Sequence, residues 1–282
     1  MLHTVKVLLT GLILLLAAQN KEPDVAVPPG VWKPLPPPQQ GEWRWRFPEQ
    51  GQTFAEYKTA RPTRPTPTRQ TVYLQPFFTR PPPDPRELER IAAVLRAFFA
   101  REIATLPPRP LPAEAYSLGR RQVDVFRLAK AMLRTRPPDA LFLLAITDRD
   151  LFAGRLQYTY GWGSFKLRVG VLSTSRLGAG ADEKRRRRRL LTLATHEAGH
   201  MLSLPHCPFF QCLMNGARTL AEADARPALL CPVCRAKLCW NLGLDPLVRY
   251  RGLGEAFARQ GLADAARMTA VAAEATRRQA AD

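Results

Sequence analysis

The sequence predicts an α/β domain spanning residues 71–282, and three observations carry that prediction. Asp139 to Thr147 contains a continuous apolar run, suited to a central strand buried on both faces. Stretches with apolar residues at three- and four-residue spacing, the mark of amphipathic helices, alternate with shorter strand-like segments. A long helix should run from about Asp182 to Leu202, and its end carries His196 and His200 on one face, with Glu197 next to the first.

The chain divides unevenly before that domain. Residues 1–18 join Lys6 to an apolar stretch and small residues at Leu16 to Ala18, the pattern of a signal peptide, so the chain is expected to be exported (periplasmic or extracellular), with the cytoplasm as the alternative. The apolar stretch is too short for a transmembrane helix, which needs about 20 residues. Residues 19–70 are proline-rich and are expected to form a largely disordered linker of polyproline character, interrupted by Trp32, Trp43, Trp45 and Phe47.

Order is expected from Thr71. Val72 to Phe78 reads as a strand. Asp84 and Pro85 then open a helix to about Ile103, carrying Leu88, Ile91, Leu95 and Phe98. A second amphipathic helix covers about Arg121 to Arg134. After the apolar strand, Leu156 to Tyr160 and Lys166 to Ser173 read as further strands. The active-site helix begins with five arginines, Arg185 to Arg189, read as an exposed helix start with at least one arginine near the core or snorkelling out. Residues 247–254 read as irregular, and helix is expected from about Glu255 to Ala275 with a break at Gly261.

The chemistry concentrates in one stretch. Three of the four histidines, His196, His200 and His206, lie in H-E-x-x-H-x-x-S-x-x-H. His196 and His200 are separated by about 400° of helix and share a face, so both imidazoles reach one ion. Glu197 is next to the first ligand, placed as general base toward a metal-bound water. His206 joins them only if the helix breaks, which Pro205 favours, and Ser203 is where the chain must turn. Four of the five cysteines form close pairs, Cys207/Cys212 and Cys231/Cys234. Paired short spacings suit one tetrahedral metal, with two disulfides as the rival arrangement. The net charge of +18 favours acidic partners and keeps a nucleic-acid-binding zinc module as an alternative, though nucleic acid is not the expected partner.

At these residues the sequence resembles the archaemetzincins, a branch of the metzincin metallopeptidases. His196, Glu197, His200, His206, Cys207, Cys212, Met214, Cys231 and Cys234 match that family's combined motif. The resemblance implies a metzincin-like catalytic domain: a twisted mixed sheet, a backing helix, an active-site helix and a small zinc-bound C-terminal subdomain. It implies two Zn2+ ions, one catalytic on the three histidines and one structural on the four cysteines. Glu197 becomes the general base, and Met214 the methionine of the turn beneath the metal. A peptide or protein would be the substrate, adding as a strand along Leu156 to Tyr160. Ser203 replaces the family glycine at the turn. The expected protein is a monomeric zinc peptidase; the alternative is a catalytically weak or inactive metal-bound peptide-binding protein.

Overall fold

The computed structural model describes residues 25–28, 30–81 and 84–281. The expected signal peptide lies outside the described residues. Among the described residues no helix is long and apolar enough to cross a membrane.

Residues 31–70 correct the expectation of a largely disordered linker. They form a strap along the domain, with a one-turn helix α1 (Trp43–Arg46) and a helix α2 (Phe54–Thr59). Proline denies the segment long helices but not docking, because apolar anchors lie between the prolines. Trp32 and Tyr57 are buried. Leu35 N–H donates to the Phe209 carbonyl at 3.1 Å, and Gln211 N–H donates to the Lys33 carbonyl at 2.9 Å. Thr53 and Glu56 close a capping box on α2. Tyr57 Oη then donates to the Leu202 carbonyl at 2.6 Å and accepts from Asn241 Nδ2 at 2.6 Å.

The domain proper opens with β1 (Thr71–Phe77), α3 (Glu87–Phe99) and β2 (Ile103–Thr105). Then come β3 (Tyr116–Ser117), β4 (Gln122–Asp124), α4 (Val125–Thr135), β5 (Ala140–Thr147), β6 (Leu151–Phe152), β7 (Gly161–Gly163) and β8 (Val169–Ser173). The main sheet has the order β2-β1-β5-β8-β7; the first four strands are parallel and β7 is an antiparallel edge. A small second sheet, β3-β4-β6, sits beside it. Every residue of β5 is buried. Phe142, Leu144 and Ile146 enter one apolar core with Leu95 and Phe99 of α3, whereas Leu143 and Ala145 face Leu128 and Met132 of α4. That two-sided burial is what a continuous apolar run requires.

Beyond the sheet lie α5 (Glu183–Met201), α6 (Leu220–Ala225), α7 (Pro232–Leu242), α8 (Pro246–Arg259) and α9 (Ala263–Ala281). The result is a mixed α/β fold of the expected class. Several local expectations change: α3 begins at Glu87 with Arg86 at the N-cap and ends at Phe99, because Ile103 opens β2. Leu156 to Tyr160 is not a strand: Arg120 and Gln122 side chains take the Leu156 and Gln157 carbonyls, and the edge strand is β7. The following strand starts at Val169, after a turn held by Ser164 Oγ. Asp124, not a residue near Arg121, caps α4, since Gln122–Asp124 pair as β4. Residues 247–254 are helical, started by the Asp245 cap with Pro246 in the first turn; the break at Gly261 (φ 71°) is as expected.

The five-arginine run starts exposed at Arg185 and turns inward along the helix, placing Arg189 near the core as expected. Arg189 is buried and meets Asp224 through two bonds of 2.8 and 2.6 Å, and it also donates to the Leu177 and Ala179 carbonyls. Arg186 pairs with the buried Glu87 at 2.8 Å. Arg187 and Arg188 donate to main-chain carbonyls of Gln260 and Asp224.

Candidate active site

Helix α5 delivers His196 and His200, both buried, one turn apart. Its end is a left-handed cap. Ser203 N–H donates to the His200 carbonyl at 2.8 Å, Leu204 N–H to the Gly199 carbonyl at 3.1 Å, and Ser203 takes φ 64°. This reversal brings His206 back to the other two rings. The ligand-capable nitrogens of the three histidines all lie within 4.8 Å of one another.

The tautomers follow from the partners. His196 Nδ1 lies 2.8 Å from the Leu213 carbonyl and His200 Nδ1 lies 2.7 Å from the Leu204 carbonyl, so each Nδ1 carries the proton and Nε2 is left as a lone pair. Arg226 Nη1 also stands 3.1 Å from His196 Nδ1, but both atoms are donors; Nη1 instead donates to the Asn215 carbonyl at 2.8 Å. The Nε2 atoms of His196 and His200 face each other at 3.1 Å. Two nitrogens bound to one tetrahedral zinc at about 2.0–2.1 Å would stand about 3.3 Å apart, so the pair fits such an ion. Burial holds His196 well below the usual imidazole range, and burial with the neighbouring His206 lowers His200 to about 3; both rings are neutral, as ligands must be.

Glu197 is buried against β7. A Cβ on Gly161 would fall 2.5 Å from Glu197 Oε1, and one on Gly163 would fall 2.4 Å from the Glu197 carbonyl oxygen. Glycine is what lets the edge strand pass this close to the active-site helix. Burial pushes the Glu197 carboxyl up to about 8; the Arg226 guanidinium opposes that shift, and a dication held by the histidines would lower it further, toward the ionised form a general base needs. Met214 is buried against the active-site helix, where its Sδ would lie 2.7 Å from a Cβ on Gly199. A cleft of about 830 Å³ opens over these groups, with β7 on one wall and Trp43, Glu49, His206 and Arg226 among the residues of the rest.

The four cysteines Cys207, Cys212, Cys231 and Cys234 form a second buried cluster whose sulfurs all lie within 4.8 Å of one another. None of the four is disulfide-bonded. Cys207 Sγ and Cys231 Sγ are 3.6 Å apart, close to the roughly 3.8 Å between two thiolates bound to tetrahedral zinc at about 2.3 Å and far from a disulfide bond. The Cys231 and Met214 amides point at Cys212 Sγ at 3.2 and 3.4 Å. Cys207 N–H donates to the Met214 carbonyl at 2.9 Å, tying the cysteine cluster to the turn under the histidines.

Sequence reasoning named all seven metal-ligating candidates and Glu197, and the structure brings them together in these two groups. It missed Glu49, whose Oε1 lies 2.6 Å from His206 Nδ1, and Arg226, Gly161 and Gly163. The glycines had a signal: Gly161 and Gly163 flank Trp162 directly after the segment expected to be a strand, and these three residues are the edge strand itself.

A helix-borne H-E-x-x-H, a third histidine returned by a break and a parallel sheet with an antiparallel edge beside the helix define a zinc metallopeptidase, a hydrolase. The comparisons with known proteins narrow this. The family model for peptidase family M54 matches residues 139–239. The archaemetzincin of Aeropyrum pernix is 31% identical over 144 residues, 50% of this chain and 78% of that protein. The crystal structure of the Archaeoglobus fulgidus archaemetzincin complexed with malonate matches at TM-score 0.52 and 29% identity, covering 59% of this chain and 99% of that one. That of Methanopyrus kandleri matches at TM-score 0.56 and 27% identity, covering 64% and 99%. The chain belongs to the archaemetzincin family, for which zinc is the expected metal.

Proposed function

We propose that the chain hydrolyses peptide bonds, with His196, His200 and His206 holding the catalytic zinc and Glu197 acting as general base. The observation that supports this most is the convergence of three rings whose Nδ1 atoms are all engaged by oxygen, so that each can present Nε2 to one point. The three histidines would hold a zinc ion that, when bound, would supply a water acidified to a pKa of about 7 and Lewis-acid polarisation of the scissile carbonyl. Glu197 takes the proton from the attacking water and returns it to the leaving amine. Its place beside Gly161 gives it direct access to the cleft floor.

Strand β7 takes the substrate role expected of Leu156 to Tyr160. The Tyr160 carbonyl and the Ser164 N–H bond toward β8, so the main-chain groups of Gly161 and Gly163 point away from it, the Gly161 carbonyl also accepting from Thr159 Oγ1 at 2.6 Å. An extended peptide adds there, across the face of Glu197. The four cysteines hold a second, structural zinc, and Cys207 anchors the loop that presents His206. The protein acts as an exported monomer.

The test is hydrolysis of a peptide library by wild type and Glu197→Gln. We expect the variant to keep its metal and lose at least about a hundredfold in kcat/KM, the range of a general base. Equal rates would refute the peptidase reading and favour a metal-bound peptide-binding protein.

A further inference from the structure

We propose that Glu49, on the strap, is a positioning residue for the catalytic metal: it fixes the orientation of His206 and adds the negative charge that a dication beside three neutral imidazoles calls for. The proposal rests on the histidines being the metal cradle.

The three rings are not supported alike. His196 and His200 use main-chain carbonyls of Leu213 and Leu204, which follow α5 in the chain. His206 lies past the helix break on a partly exposed loop, and its Nδ1 meets Glu49 Oε1 at 2.6 Å, 157 residues away. A carboxylate bonded to the far nitrogen of a ligand histidine sets its tautomer, holds the ring plane and raises its basicity as a ligand.

The position of Glu49 is itself built. Trp43 Nε1 donates to the same Oε1 at 2.7 Å, and Trp43 N–H is anchored on Glu222 Oε1 at 2.8 Å. The indole meets the His206 ring edge-on, with centroids 5.1 Å apart. Gly216 makes room for it, since a Cβ there would fall 2.1 Å from Trp43 Cδ1. Gly51 lets the strap turn at φ 77° directly after, where a Cβ would fall 2.8 Å from the Phe209 ring. Glu49 Oε2, finally, is buried with no hydrogen-bond partner among the described residues. A buried carboxylate oxygen left unpaired is costly unless a positive charge lies near. A divalent ion on the far side of His206 supplies that charge.

Zinc affinity of the full chain, measured by chelator competition on Glu49→Gln and Glu49→Ala, tests this. We expect the ion at the histidines to bind about 10–100-fold more weakly in Glu49→Ala, with Glu49→Gln between it and wild type and the cysteine-held ion unchanged. With cobalt in place of zinc, the visible bands of the histidine site should shift in both variants. Wild-type affinity and an unchanged cobalt spectrum in Glu49→Gln would overturn the proposal; that near-isosteric variant decides the matter even if Glu49→Ala folds poorly. His196→Ala separates the two readings. If it too leaves the metal content unchanged, the cradle itself is wrong; if it loses one ion while the Glu49 variants do not, only the positioning role fails.

Discussion

Replacing Ser203 by glycine and by alanine separates two opposing effects at the turn that makes the third histidine available. Serine at φ 64° sits in the left-handed region, a cost on the order of 1 kcal/mol that glycine escapes. The structure adds an offset that the motif alone does not show. Ser203 Oγ donates to the Phe165 carbonyl at 2.7 Å and accepts from the Thr63 N–H at 3.0 Å, which joins the strap to the turn. Each such bond contributes about 0.5–1.5 kcal/mol. Ser203→Ala loses both bonds and keeps the strain, so it should be destabilised by about 1–3 kcal/mol. Ser203→Gly loses the bonds but relieves the strain, for a net of about 0–2 kcal/mol. In denaturant unfolding the order should be wild type, then glycine, then alanine, with the two variants about 1 kcal/mol apart, and thermal midpoints should follow at about 2–4 °C per kcal/mol. Peptidase activity of Ser203→Gly should stay near wild type, because the turn already has the conformation glycine would give it. A glycine variant more stable than wild type by more than about 1 kcal/mol, or an alanine variant equal to wild type, would refute the claim that the Oγ contacts offset the strain.

Two further outcomes follow from the packing. Gly163→Ala should lower stability by about 1–3 kcal/mol and sharply reduce activity, since its Cβ would stand 2.4 Å from the Glu197 carbonyl oxygen and 2.8 Å from His200 Cβ; Gly119→Ala, with nothing within 4 Å, is the neutral control in the same unfolding and peptidase assays. Asp224→Asn should cost about 1–3 kcal/mol by removing the charge that neutralises the buried Arg189, which keeps its bonds to the Leu177 and Ala179 carbonyls. The hydrogen bonds from Arg189 hold the Asp224 carboxyl below its ordinary 3.8, so this stabilisation is fully present above that value and fades as pH falls through the lowered one. Unfolding curves should therefore show a constant gap between wild type and Asp224→Asn near neutrality that closes in acid.

What the sequence made legible was local in period. The apolar run of β5, the helix phase of His196 and His200, the Pro205 break and the short cysteine spacings each depend on neighbours a few residues away. What stayed hidden depends on partners far along the chain. The docking of the strap rests on Tyr57 meeting Leu202 and Asn241, and on Glu49 meeting His206, none of which has a periodic signature. Residues 156–160 look like a strand by composition, but Arg120 and Gln122 occupy their carbonyls. The arginine run looks like a solvated helix start because its acceptors, Glu87, Asp224 and several carbonyls, come from remote segments.

We propose that the histidine and cysteine clusters build two adjoining but separable zinc sites. Metal analysis of purified wild type beside His196→Ala and Cys231→Ser tests it most directly. Wild type should hold two zinc ions, and each variant should lose one independently. One zinc in wild type with no free thiols among Cys207, Cys212, Cys231 and Cys234 would contradict it.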